Sequence, residues 1–481
     1  MRRFFVKNIL FILTINILVK TIWVFFIDRT VQNRVGHASY GTYAPLLSFS
    51  IIFAILLDFG LTNYNSRTIS RQPDKLARLF PDMLSARVVL MLLYMLVAGT
   101  IGYVAGYRGW ELLLLFGVLL IQTLNSLLLF IRSNVAALQR FKTDGILSIS
   151  DRLILIFLCG FLLYYPTTAK NFKIEWFIGT QIISYFLACV IAFMVLGSIH
   201  KVQLRFSFHP KKILDIIKST FPYALLIFLM SIYIRSDMNL VEWLCGSKGK
   251  DQAGIYAASY RLLDYCIQYA GMFATMLLPF FGRLLSQKQD VQPIIKLCVN
   301  MLLPVSFMIA VAAIFFGSDI MHVLYKDASG YDGVIFAWLM ACFPCWCITY
   351  VYSTLLTANG NLRQLNKIAF AGVVLNIGLN LVLIPRYMAL GAAITAFVTQ
   401  VFVAFAFAFY AGNLLKLPIN VKWILAHLGF FILILLAGFA ATIPSIHFMA
   451  ALILFGGVCL LLMFLFRFIS VKNIRQLIVR D

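Results

Sequence analysis

The chain has 481 residues, of which 62% are hydrophobic and only 12% charged. Soluble proteins carry about 45–50% apolar and about 25% charged residues, so this composition excludes an ordinary water-soluble enzyme, a disordered chain and a disulfide-rich secreted module. Forty Lys and Arg against 18 Asp and Glu give a net charge of +22; the basic residues are spread through short segments between apolar runs, which points to topology control and attraction to anionic lipid rather than to nucleic acid.

A membrane-spanning helix needs about 20 mainly apolar residues. Fourteen such runs follow one another, at 8–28, 42–63, 84–105, 111–132, 146–165, 175–199, 219–243, 253–282, 293–316, 334–357, 366–385, 389–412, 421–442 and 447–467. The first follows Met1-Arg2-Arg3 and has no small-residue cleavage site, so it reads as an uncleaved spanning helix. Pro279, Pro304 and Pro344 fall inside runs and predict kinks there. Segments on the side of the N-terminus carry 28 Lys and Arg, the opposite loops 9, and Lys20, Arg235 and Arg261 lie inside runs. This bias places both termini in the cytoplasm. No connecting segment exceeds about 25 residues, too short for a soluble catalytic domain on either face.

Gly41-Thr42-Tyr43-Ala44 opens the second run and Gly254-Ile255-Tyr256-Ala257 the eighth. Arg67 and Arg283 follow, 26 and 29 residues on. This Gly-x-Tyr-Ala repeat predicts two parallel six-helix bundles, residues 1–200 and 201–412, with an addition of two helices and a tail at 413–481. An even number of spans per repeat keeps both halves in one orientation.

An ionisable side chain at mid-bilayer costs on the order of 3 kcal/mol, so it faces protein or a wet cavity. In run 7, Ser231, Arg235, Asn239 and Glu242 form one polar stripe at helical spacing, and Asp237 lies about 200° from Arg235. Run 8 carries Arg261, Asp264 and Gln268, run 1 carries Asn16 and Lys20 beside Trp23, and run 2 carries Asp58. Asn376 and Asn380, four apart in run 11, read as interhelical glue. The nine Cys sit mostly in apolar runs and read as small hydrophobes. There is no phosphate-binding Gly-x-x-x-x-Gly-Lys-Ser/Thr loop, no His-Glu-x-x-His, no Gly-x-Ser-x-Gly and no visible zinc site. Neither a catalytic residue nor a metal or other cofactor is expected.

The stretch Gly36 to Ala44, the turn Leu56-Leu57-Asp58-Phe59-Gly60-Leu61, Ile234-Arg235-Ser236-Asp237 and Ala358-Asn359-Gly360-Asn361 occur in this order along the runs. In them the chain resembles a polysaccharide flippase of the multidrug/oligosaccharidyl-lipid/polysaccharide exporter superfamily. The resemblance implies an all-α polytopic fold of two six-helix bundles in a V, alternating access, and transfer of an undecaprenyl-diphosphate-linked oligosaccharide across the bacterial cytoplasmic membrane for O-antigen, capsule or exopolysaccharide export. It implies membrane lipids and the polysaccharide polymerase and chain-length machinery as partners. With the residues above, it assigns Lys20, Arg235, Asn239 and Arg261 to the diphosphate-linked headgroup. Asp58, Asp237, Glu242 and Asp264 become candidates for charge pairing or for coupling to a Na+ or H+ gradient. Two relatives are the alternatives: a cation-coupled multidrug exporter, against which the intramembrane cations argue, and a peptidoglycan lipid-precursor flippase. A polysaccharide polymerase or ligase would need a large outward loop, which is missing.

Overall fold

A computed structural model describes residues 15–16, 18–62, 65, 68–69, 72–138, 140–199, 210–418, 420–443 and 447–468. The expected signals at Met1, Arg2, Arg3 and Arg67 lie outside these. Among the described residues the chain is helical and has no strand. Spanning backbone in hydrocarbon must satisfy its own hydrogen bonds, and the helix does this within one segment.

We number the long helices α1 (Leu18–Leu57), α2 (Leu76–Val104), α3 (Gly109–Ala137), α4 (Phe141–Tyr164), α5 (Ile174–Ile199), α6 (Pro210–Leu244), α7 (Gly249–Ser286), α8 (Gln292–Leu324), α9 (Gly330–Ala358), α10 (Leu362–Tyr387), α11 (Ala389–Leu414), α12 (Val421–Thr442) and α13 (Phe448–Leu465). Among the described residues twelve of these, all but α7, are long and apolar enough to cross a membrane. Fourteen runs were expected. Two of them, 8–28 and 42–63, are joined in α1. The eighth run is α7, a helix of 38 residues whose hydropathy is lowered by Asp251, Arg261, Asp264 and Gln268.

The join in α1 is not straight. Gly36 has φ 77° and ψ 169°, far from helical values, in a region that side chains avoid and glycine enters freely. The Tyr40 hydroxyl donates to the Asp28 carboxylate at 3.1 and 3.2 Å. Twelve residues of straight helix would hold these positions about 18 Å apart. Gly36 therefore folds the chain back, and α1 consists of two arms. The C-terminal arm tightens into a 3-10 turn at Ala54–Leu57 and ends at Phe59 and Gly60, both with positive φ.

Two compact units divide at Asn239/Leu240, inside α6; the boundary expected from the repeat, near 200, precedes that helix. In the first unit α3 packs on α1, α2 and α5, and α5 also packs on α4 and α1. In the second, α9 packs on α7, α8 and α11, and α11 also packs on α10 and α7. The pairing scheme is the same, with Gly-x-Tyr-Ala on the first helix of each set. The outer faces are apolar: Leu92, Val104, Phe157, Phe405 and Ile453 are largely exposed, a surface suited to acyl chains and unsuited to water. α12 and α13 pack on α8 through Val311, Phe316, Phe430, Ile434 and Phe455.

Helix α8 meets α9 at two glycines. A Cβ on Gly333 would lie 2.6 Å from the Ser318 backbone nitrogen, and one on Gly317 would lie 2.9 Å from the Gly333 carbonyl oxygen. Small residues at such crossings let backbones approach in membranes. Gly333→Ala is expected to destabilise the protein by about 1–3 kcal/mol through overpacking, read as a lower thermal midpoint in detergent. Gly179→Ala, at a site with nothing within 4 Å, is the matched control and should leave the midpoint unchanged.

Candidate functional site

In the first unit, α1 opens its second turn into a π-helix at Trp23–Asp28, where the Arg29 N–H reaches back five residues to the Val24 carbonyl. Such wide turns are rare and frequent at functional sites. Trp23, at its start, stacks on Phe177 of α5 with ring centres 5.9 Å apart. Asp28, at its end, is buried and held by Tyr40. Tyr43 stands edge-on to Phe177 at 5.3 Å, and its hydroxyl meets the Gln181 side chain at 3.1–3.3 Å. The repeat tyrosine thus ties α1 to α5.

Helix α4 meets the same arm of α1. Asn16 donates to the Ser148 hydroxyl at 2.8 Å. One turn beyond Ser148, the Arg152 guanidinium lies 5.3 Å from the Trp23 ring centre and 5.8 Å from that of Tyr185. It donates to the Tyr185 hydroxyl at 3.1 Å and lies 3.3 Å from the Asp151 carboxylate. Two aromatic rings and a phenol hydroxyl orient this cation, yet its side chain is 29% exposed. Lys20, half-buried, lies four residues after Asn16 and three before Trp23, on the face of α1 that carries both contacts to α4. Register therefore puts Lys20 on the face of α1 that meets α4, the helix of Arg152 and its partner Asp151.

Asp58 occupies the break after the C-terminal arm of α1. Its carboxylate accepts from the backbone N–H groups of Gly60 (3.1 Å) and Thr62 (3.0 Å), from the Thr62 hydroxyl and from Arg87 of α2. Arg87 is 1% exposed. It also donates to the Ser126 hydroxyl (2.8 Å) and carbonyl (3.2 Å) and lies over Phe130 at 4.7 Å. Asp58 shapes the turn and neutralises a buried cation.

Of the remaining sequence candidates, Arg235, Asp237 and Asn239 lie on α6 in the first unit. Arg235 is half-buried and Asp237 buried. Asn239 is buried and donates to the Pro45 carbonyl at 2.9 Å; Ser231 bonds back to the Ile227 carbonyl of its own helix. Glu242, buried, and Arg261 and Asp264, half-buried, belong to the second unit. Asn380 donates to Asn376 at 3.2 Å within α10, both fully buried. All nine cysteines are unbridged, and no cluster of metal-ligating side chains occurs among the described residues.

Sequence reasoning missed Arg152, Arg87 and Asp28. The first two were counted among the loop cations, and Asp28, the last residue of run 1, was not weighed. The available signal was the apolar Ile146-Leu147 ahead of Asp151 and Arg152: the helix begins at Phe141, which puts Arg152 halfway along α4. Arg87 likewise sits well inside α2.

The family described as "Polysaccharide biosynthesis protein" matches residues 5–285, more than half of the chain. A search of curated proteins found no significant match. Among solved structures, the chain is similar to an inward-facing multidrug resistance MATE family transporter of the MOP superfamily (13% identity, TM-score 0.63, 81% of this chain and 93% of that one). It is similar to the lipid II flippase MurJ in an inward closed conformation (14%, TM-score 0.61, 91% and 98%). A third is a MOP superfamily transporter from Pyrococcus furiosus, described by a reversed polarity of its binding pocket (12%, TM-score 0.60, 85% and 93%). At these identities the likeness is one of fold, and it spans nearly the full length of each. The chain is a multi-pass membrane protein with the fold of the MOP transporters and belongs to the polysaccharide biosynthesis protein family.

Proposed function

We propose that this protein is a flippase that carries a polyprenyl-diphosphate-linked oligosaccharide across the bacterial cytoplasmic membrane by alternating access, for surface polysaccharide export. A sugar–diphosphate headgroup cannot cross about 30 Å of hydrocarbon unaided. The carrier must offer it water, hydrogen bonds and positive charge while its polyprenyl tail stays in lipid. The observation that carries the reading is Arg152, a cation halfway along a spanning helix, oriented by Trp23 and Tyr185 yet partly open. Lys20 is on the face of α1 that meets this helix. A planar guanidinium suits forked contacts to phosphate oxygens, and an ammonium adds a mobile point charge.

Arg235 and Arg261, both half-buried on their helices, are further headgroup contacts in this reading. Asn239 is a packing residue in this reading, since its amide NH2 donates to the Pro45 carbonyl. A Na+ or H+ gradient drives the cycle, with half-buried Asp264 the coupling carboxylate; Asp58 is committed to Arg87. The reaction needs no cofactor. The flipped lipid would then pass to the polymerase and chain-length machinery at the outer face.

Arg152→Gln at unchanged protein level is expected to lower surface polysaccharide, or flipping in proteoliposomes, about 10- to 100-fold, the equivalent of one or two hydrogen bonds from a charged group. Arg152→Lys should retain an intermediate rate, because charge survives and the fork does not. Full activity of Arg152→Gln would remove this residue from the mechanism.

The charge bias predicts orientation as well. Reporter fusions after residue 481 and in the segment 200–209 should report cytoplasm, and cysteines introduced near Lys170 or Lys326 should react with an impermeant thiol reagent from outside.

A further inference from the structure

A second polar feature of the first unit is not used by the diphosphate reading. A cleft of about 370 Å³ opens beside the break at Asp58. Its polar lining is Asp58 and Thr62 at the end of α1 and Gln122, Asn125 and Ser126 on α3. The three α3 residues stand at i, i+3 and i+4 and so share one helix face. Gln122 is near the midpoint of α3, with Asn125 and Ser126 one turn beyond.

Polar side chains at this depth are costly unless they find partners. Ser126 has one in Arg87, and Thr62 has one in Asp58. Gln122 and Asn125 are half-buried, and among the described residues their amides make no hydrogen bond. Two amides therefore present donors and acceptors to a cavity.

We propose that this cleft binds an uncharged, hydroxyl-rich ligand, a sugar residue of the transported headgroup. The charge balance selects that chemistry. Arg87 neutralises Asp58 from behind, so a cation entering the cleft meets no net attraction. A phosphate would face the carboxylate, and the Arg87 guanidinium behind it is buried at 1% exposure. Hydroxyl groups fit: they donate to the carboxylate and amide oxygens and accept from the amide NH2 groups and the Ser126 hydroxyl. The volume lies within the roughly 300–1,000 Å³ of small-molecule sites. That the sugar belongs to a lipid-linked saccharide rests on the flippase reading; that the cleft takes a polyol does not.

The test uses the full chain in lipid nanodiscs and saturation-transfer NMR with methyl glycosides of glucose, galactose, mannose and N-acetylglucosamine. At least one should bind the wild type. Gln122→Leu and Asn125→Leu remove amides that bond nothing else among the described residues, so thermal midpoints should be unchanged. Each should weaken that binding about 2- to 10-fold, the worth of one neutral hydrogen bond. The proposal is overturned if no glycoside binds the wild type, or if binding is indifferent to both variants. It is overturned equally if sodium chloride, but not choline chloride, stabilises the protein through Asn125 and Gln122, since the cleft would then be a cation site. Transport of a lipid-linked saccharide in proteoliposomes is measured alongside. A wild type that transports while its glycoside binding ignores the variants sinks the cleft alone. Cleft-dependent binding without any transport sinks the flippase reading and leaves the sugar site standing.

Discussion

A positive charge inside hydrocarbon must be surrounded before it can be used, and the first unit solves this in two ways. Around Arg87 the enclosure is complete: a carboxylate, two hydroxyls, a carbonyl and an aromatic face leave 1% of it exposed. Such a cation is structural, and taking away one partner would strand the other. Around Arg152 the enclosure is partial. Its flat faces lie near rings and one edge meets Tyr185 and Asp151, while nearly a third of the side chain stays open. The difference between a sealed and a partly exposed charge is made by which neighbours surround it, not by the residue type.

The same constraint governs the backbone. Pro45 lies within the second arm of α1, and its carbonyl is taken by Asn239 of α6. The break after Leu57 exposes N–H groups that the Asp58 side chain collects. Where a helix ends or bends at depth, a polar side chain accompanies it. Asp58, noticed in the sequence as a lone charge, serves the break after α1, and Asn239, read as one member of a polar stripe, bonds the backbone at Pro45.

Much of the architecture was legible because hydropathy writes it directly. Apolar runs longer than 17 residues have few other fates, and the charge bias survives the transfer of Arg87 and Arg152 from loop to helix, at 26 against 9. The Gly-x-Tyr-Ala repeat marks helices that occupy the same place in each unit's packing scheme. The site was less legible. Arg152 fell inside the run at 146–165 yet was counted with the segment before it; the helix begins at Phe141, which carries that charge inward. Asp28 closed run 1 without drawing notice because periodicity does not reveal a chain reversal, and Tyr40, which bonds to it, lies beyond that reversal. Gln122 and Asn125 drew no notice: amides within a strongly apolar run scarcely change its character, and only the neighbouring break at Asp58 turns their face into a cavity.

That reversal at Gly36 also bears on how the protein enters its membrane. Asp28 is a poor guest for a bilayer by itself, and the hydroxyl that shelters it is made twelve residues later. The ribosome must therefore deliver both arms before the carboxylate is comfortable. The two arms are best inserted together as a helical hairpin, with the translocon holding the first until the second emerges.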